Sequence, residues 1–355
     1  MNRKKFISLA ERIIDGQEPA PDEYQKLAEV PDGQVMKMLP GADLLRERAF
    51  GNRVHLCTIS NGKSGRCGED CRFCSQSAHY MTDTSVYSLM EEEKLVEIGT
   101  TVARTPVNRY SIVTTGKGLP VKEVVQVGRA LKTIGAAGIQ TCASLGILGE
   151  EELEILRSSG VGRYHHNLET AESHFSNVCT THSFQSRVET IRRAKRLGFS
   201  VCAGGIFGIG ESDDQVLELA LALRALSVDA VPINFLVPIP GTPFEKFPRL
   251  SPLRCLKIIA LFRYVLPNTQ IIICGGREAN LKELHPLVFF AGASGIMTGN
   301  YLTATGINLA DDLETIHRLG FSAEKKGAQA EAGTPSGIAV ESGRGVFPRI
   351  TGKRG

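Results

Sequence analysis

NRYSIVTTGKGLPVKEVVQVGRALKTIGAAGIQTCASL, residues 108–145, is a complete strand–helix–strand unit. Its ends, 108–115 and 138–145, are short runs rich in β-branched and small apolar residues. Between them, VKEVVQVGRALKTIG (121–135) repeats apolar side chains at helical spacing and runs into glycine, the usual C-terminal stop. The same alternation extends in both directions. Further strands are predicted at 54–59, 161–168, 199–206, 230–236, 269–274 and 293–298, and helices at 150–160, 186–198, 213–226, 252–266 and 281–292. Eight strands, each followed by a helix, predict an α/β chain folded as a closed (βα)8 TIM-type barrel. A doubly wound open sheet would seldom need eight such units.

Outside the barrel, residues 1–50 read as two or three helices. In MNRKKFISLAERIIDG, Phe6, Leu9, Ile13 and Ile14 fall on one helical face, and Glu11 and Asp15 interrupt any signal-peptide apolar region. This is the start expected of a cytoplasmic protein. Beyond about residue 320 the pattern dissolves into EKKGAQAEAGTPSGIAVESGRG, which lacks the apolar content to order itself. The predicted organisation is therefore a helical extension (1–50), a barrel (51–320) and a flexible, disordered C-terminal tail (321–355).

Composition narrows the function. A 42% hydrophobic content suffices for a core, and a net charge of +3 with scattered Lys and Arg does not make a nucleic-acid groove. No apolar run approaches the roughly 18 residues of a membrane span. Nine cysteines, an odd number, suggest metal or redox chemistry rather than a disulfide framework. Three of them, Cys67, Cys71 and Cys74, form a C-x3-C-x2-C array directly after the first predicted strand. Three thiolates in one loop can hold three irons of a [4Fe-4S] cluster and leave the fourth open for a substrate ligand. A zinc knuckle is the competing interpretation, but zinc sites favour paired C-x2-C motifs and none follows.

C-x3-C-x2-C after the first barrel strand resembles the motif of the radical S-adenosylmethionine (AdoMet) superfamily. Six collinear blocks narrow this to a resemblance to the biotin synthase family: CGEDCRFCSQSAHY (67–80), YHHNLET (164–170), TTHSFQSRVET (180–190), VCAGGIFGIGES (201–212), VPINFLVPIPGTP (231–243) and GGRE (275–278). The resemblance implies that AdoMet chelates the open iron and is split to a 5′-deoxyadenosyl radical. It implies that two such radicals activate dethiobiotin for sulfur insertion, with the sulfur drawn from an auxiliary cluster. It places Phe73 near the adenine, Asn167 and Glu169 on the ribose, Arg187 near the methionine carboxylate, and Asn234 and Asn167 beside dethiobiotin, with His165 standing where many members have an Asn that borders the substrate. The partners it implies are dethiobiotin, a low-potential electron donor such as flavodoxin or ferredoxin, and the iron–sulfur assembly machinery. A homodimer is the assembly considered.

The chain departs from the family at the second cluster. Typical members hold a [2Fe-2S] cluster with three cysteines and an arginine. Here two of those cysteines persist as Cys142 and Cys202, the third position is Ser111, and the arginine position is Ile272. Cys57 and Cys274 compensate. Cys57, Cys142, Cys202 and Cys274 come one each from the first, third, fifth and seventh predicted strands, and a barrel layer takes its four side chains from alternate strands. The expectation is a four-iron auxiliary cluster on these four thiols. Ordinary buried cysteines are the alternative. Cys255 reads as helix packing, and Cys179 fits neither set. Loss of the usual ligands also leaves open a relative that inserts no sulfur, such as a mutase or metallocofactor maturase, or a non-catalytic scaffold.

Overall fold

The computed structural model describes residues 2–300, 302 and 306–323, so the expected tail from residue 324 onward lies outside the described residues. The strands are β1 (His55–Lys63), β2 (Arg109–Thr114), β3 (Gln140–Ser144), β4 (Arg163–His165), β5 (Ser200–Cys202), β6 (Gly205–Phe207), β7 (Ala230–Phe235), β8 (Gln270–Ile273) and β9 (Gly295–Met297). All pairings between these strands are parallel, and β1 pairs with both β2 and β9. β5 pairs with β4 on one side and meets β7 at Cys202 and Ala230 on the other, while β6 continues alongside β7. The sheet is thus a closed barrel of eight strands whose fifth strand is interrupted, as the sequence predicts in number and order.

The interruption has a local cause. Ala203 donates its N–H to the Ala230 carbonyl at 2.9 Å. The next bond of a parallel ladder would run from residue 232 back to the Ala203 carbonyl, and Pro232 has no N–H. Gly204 follows, where a side chain would stand 2.0 Å from the Pro232 carbonyl oxygen.

Helices surround the barrel: α1 (Arg3–Ile14), α2 (Pro21–Ala28), α3 (Leu39–Phe50), α4 (Glu92–Ala103), α5 (Val121–Ala136), α6 (Glu150–Ser158), α7 (Glu172–Phe175), α8 (Phe184–Arg196), α9 (Asp213–Ala225), α10 (Pro252–Val265), α11 (Arg277–Leu281) and α12 (Leu309–Arg318). In α5, Val124, Val127, Leu131 and Ile134 line the buried stripe at i, i+3, i+7 and i+10. Each contributes roughly 1.5–3 kcal/mol by leaving water. The helix expected at 281–292 is not one. α11 ends at Leu281 and a 3-10 segment runs from Lys282 to Val288, because Pro286 cannot continue the α-helical ladder. α3 and α10 pack together, and the Tyr264 hydroxyl of α10 reaches the carbonyls of Phe6 and Met38, each at 3.2 Å. Behind β8, buried Arg277 grips Asp312 of α12 through two bonds of 2.8 and 2.9 Å.

The large apolar core lies between sheet and helices. A smaller cluster of Cys202, Ala230, Ile272, Cys274 and Met297, with Cys57 and Ile59 against it, fills the barrel interior.

Candidate active site

The three clustered cysteines sit on the long loop that leaves β1. Gly65 and Arg66 take positive φ and turn the chain into it. The loop then folds on itself: Cys67 donates to the Gln76 carbonyl at 2.9 Å, Ala78 to the Cys67 carbonyl at 2.7 Å, and Cys74 to the Cys71 carbonyl at 2.9 Å. Asp70 fastens it to the segment before α8, accepting from the Thr180 and Thr181 peptides at 2.8 and 3.2 Å and from the Thr180 hydroxyl. Burial would raise the Asp70 carboxyl, but these bonds outweigh it and hold the group well below the usual carboxylate range. Cys74 is pushed up to about 11 by burial, opposed by peptide N–H groups and supported by the nearby Cys67 charge. Cys71 is raised further, first by its hydrogen bond with Cys179 and then by burial. Buried thiols of this kind become thiolates when cationic irons accept them, which is what the donor set suits.

Beside this loop stand the polar residues of the strand ends. Glu169 takes φ +71°, and its carbonyl accepts from Ile206 at 2.8 Å. Gly205 permits that approach, since a side chain there would lie 2.4 Å from the Glu169 carbonyl oxygen. Asn167 donates to Glu169 Oε2 at 3.2 Å and accepts from the Gly204 peptide at 3.1 Å. Arg187 of α8 donates to the Asn167 carbonyl at 2.9 Å and pairs with Glu169 at 3.4 Å. Burial raises the Glu169 carboxyl despite Arg187. Asn234, near the end of β7, donates to the Gly205 carbonyl at 3.2 Å and accepts from the Gly275 peptide at 2.9 Å. His165 is pushed down to about 4 by burial and the charges of Arg163 and Arg187, so its imidazole is neutral. Phe73 packs with Ile206, Ile209, Leu236 and Phe244.

In the barrel interior, Cys57, Cys202 and Cys274 lie in one packed cluster, and buried Cys142 on β3 is close enough to feel the Cys57 charge. Cys57 and Cys274 share a hydrogen bond that lowers the Cys57 thiol and raises that of Cys274. Cys142 and Cys202 are raised by burial, and each feels the Cys57 charge. Ser111 is paired in register with Cys142, and its hydroxyl's hydrogen bond to that thiol opposes part of the rise that burial causes. Replacing the arginine by Ile272 does not strip the chamber of cations, as the sequence alone suggests: Arg109 and Arg163 act on Cys57, Cys142 and Cys202 from below.

Sequence reasoning missed a second set around the loop. Cys179 Sγ lies 3.3 Å from His182 Nδ1 and 3.2 Å from Asp70 Oδ1, and its thiol is lowered to about 4, first by Cys71. His182 touches Glu69 through Nδ1 and accepts from Arg187 Nε at 2.9 Å. Glu69, His182, Arg187 and Glu169 therefore link the cysteine loop to the strand ends. The C-x2-H spacing of Cys179 and His182 was the available signal. Arg109 and Arg163 were legible too, lying two residues before Ser111 and His165 and so on the same strand faces.

Comparison with known proteins follows the same division. Residues 63–223 match the Radical SAM superfamily, and residues 232–322 match the Biotin and Thiamin Synthesis associated domain. The biotin synthase of Desulfatibacillum aliphaticivorans is 55% identical over 92% of this chain and 100% of its own length. That of Geotalea uraniireducens is 46% identical over 89% of this chain and 97% of its own. Among solved structures, a methylornithine synthase superposes with a TM-score of 0.77 at 21% identity, covering 89% of this chain and 97% of that one. A maturase of the [FeFe]-hydrogenase gives 0.75 at 18%, covering 90% and 75%. At such identities these two establish the barrel fold and nothing about the reaction.

Proposed function

The chain belongs to the biotin synthase family of radical AdoMet enzymes, and we propose that it inserts sulfur between the C6 methylene and C9 methyl carbons of dethiobiotin, closing the thiophane ring of biotin. The observation that carries this reading is the stacking of two thiol sets in one barrel, a three-cysteine loop at the mouth and four cysteines in the interior. When bound, a [4Fe-4S] cluster with AdoMet supplies the hydrogen-abstracting radical, and an auxiliary cluster supplies the sulfur.

The residues divide the remaining work. Cys67, Cys71 and Cys74 hold the mouth cluster with one iron open. Asn167 and Glu169, fixed against each other and against Gly204, offer acceptors to the ribose hydroxyls. Arg187 reaches the methionine carboxylate with donors its present bonds leave over. Phe73 extends an apolar patch toward the adenine. Asn234, Asn167 and neutral His165 bracket dethiobiotin, and the closed barrel wall keeps water from the reacting carbons. Cys57, Cys142, Cys202 and Cys274 hold the auxiliary cluster, for which we propose four irons. Cys274 is its labile ligand, standing in for the family's arginine from a position two residues beyond Ile272 on the same strand face. Flavodoxin or ferredoxin would deliver electrons, iron–sulfur assembly proteins would load the clusters, and the setting would be cytoplasmic.

The test is turnover. Anaerobically reconstituted protein given dethiobiotin, AdoMet and a strong reductant should yield biotin and 5′-deoxyadenosine. Sustained 5′-deoxyadenosine release without biotin would contradict the assignment.

A further inference from the structure

At the end of the barrel opposite the cysteine loop, a cleft of about 470 Å³ enters between the N-terminal ends of the strands. Ala49 of α3 and the exposed Gly138 and Gln140 lie at its rim. Its inner wall includes His55, Arg109 and Arg163. The two arginines also stand next to the interior thiols, Arg109 paired in strand register with Cys57 and Arg163 with Cys142. The wall of the cleft and the underside of the thiol chamber are therefore the same pair of guanidinium groups. A barrel of this type is ordinarily a filled core rather than a passage.

The chemistry of this wall is one-sided. Arg163 donates to Ser200 Oγ and Gln270 Oε1, each at 3.0 Å, and Arg109 donates to the Thr141 carbonyl at 3.3 Å and to the Gln140 side chain. These partners are neutral. Among the described residues, neither arginine has a carboxylate within ion-pair distance. Arg109 Nε and His55 Nε2 are buried without a hydrogen-bond partner. Two like charges without a carboxylate partner, one of them with a buried donor left over at Arg109 Nε, attract a small anion.

We propose that this cleft is an anion port through which hydrosulfide reaches the inner thiol chamber. The inference rests on the reading of the auxiliary cluster as the sulfur source, because a donor that gives up sulfur must be resupplied for a second turnover. The mouth is taken up by the cysteine loop, AdoMet and dethiobiotin. The floor offers a separate way in whose charge favours HS⁻ over neutral or cationic solutes. Neutral glutamines beside both arginines leave the positive charge uncancelled, so the anion meets no repulsion before the chamber.

The test follows heavy-isotope hydrosulfide into reconstituted enzyme, reading label both in protein-bound sulfide by native mass spectrometry and in the biotin formed. Ala49→Trp narrows the rim sterically, and Gln140→Glu cancels the charge of Arg109 with almost no change of shape. Unchanged 5′-deoxyadenosine production by each variant reports an intact fold and mouth. Label should enter the wild-type protein, with the inner fraction slowed about tenfold in both variants, the lower end of what a steering charge contributes. Equal uptake by all three proteins would overturn the port and route sulfur through the mouth. Slowed uptake with label never appearing in biotin would uphold the port while refuting the auxiliary cluster as sulfur donor.

Discussion

Asn234→Ala removes a side chain with two duties. In the structure its amide bridges the fifth and seventh barrel strands, donating to the Gly205 carbonyl at 3.2 Å and accepting from the Gly275 peptide at 2.9 Å. Two ordinary bonds at about 1 kcal/mol net each predict a stability loss of about 2 kcal/mol. The proposed contact with dethiobiotin adds a separate effect on catalysis. A substrate amide buried without its partner costs roughly 1–3 kcal/mol, or about one to two decades in kcat/KM. Urea unfolding reads the first effect, and biotin formation set against 5′-deoxyadenosine production reads the second. Asn234→Asp keeps the acceptor for Gly275 but sets a carboxylate oxygen against the Gly205 carbonyl, so it should recover little of the lost stability. Collapse of AdoMet affinity with dethiobiotin binding untouched would refute the assignment of Asn234 to the substrate.

Further outcomes follow from the rest of the site. Cys67→Ala, Cys71→Ala and Cys74→Ala should each abolish 5′-deoxyadenosine production while leaving circular dichroism unchanged, and normal production by any of them would remove the mouth cluster from that loop. Cys274→Ala should still cleave AdoMet yet make little biotin; full biotin yields from both Cys57→Ala and Cys274→Ala would make these thiols packing residues. His165, with a folded value of about 4 against an ordinary 6.5, stays neutral while the unfolded chain takes up a proton. Its stabilising contribution is present above the unfolded value and is lost as pH falls from 6.5 toward 4. His165→Asn should therefore flatten the acid side of the stability profile in urea titrations, and an unchanged profile would mean that His165 titrates normally.

The barrel was legible because its signals are local. β-branched runs alternate with helical stripes often enough that eight units leave few other folds, and Gly or Pro marks most ends. The sequence was less informative where one residue overrides a pattern. Pro286 turns the expected helix after β8 into a 3-10 segment, and Pro232 leaves the Ala203 carbonyl without its ladder donor. The α4 helix was not predicted either; its start at Glu91 has no side-chain cap to mark it. In the site, the C-x3-C-x2-C spacing carried its own meaning, whereas Asn167, Glu169, Arg187 and Asn234 are common polar residues that became identifiable only through resemblance. The odd-strand cysteines could be placed by barrel geometry. Arg109 and Arg163 could be placed on strand faces by the same geometry, but the cleft they line is formed by distant segments and left no local signal.

The central claim is that four interior cysteines replace the family's usual auxiliary ligand set with one suited to a four-iron cluster. Iron and acid-labile sulfide analysis of anaerobically reconstituted protein addresses it most directly, with Cys57→Ala/Cys274→Ala measured alongside. The account predicts about eight irons per chain, the sum of two cysteine-held four-iron clusters, falling to about four in the double variant. About six irons in the unsubstituted protein, or an iron content that the double variant leaves unchanged, would contradict it.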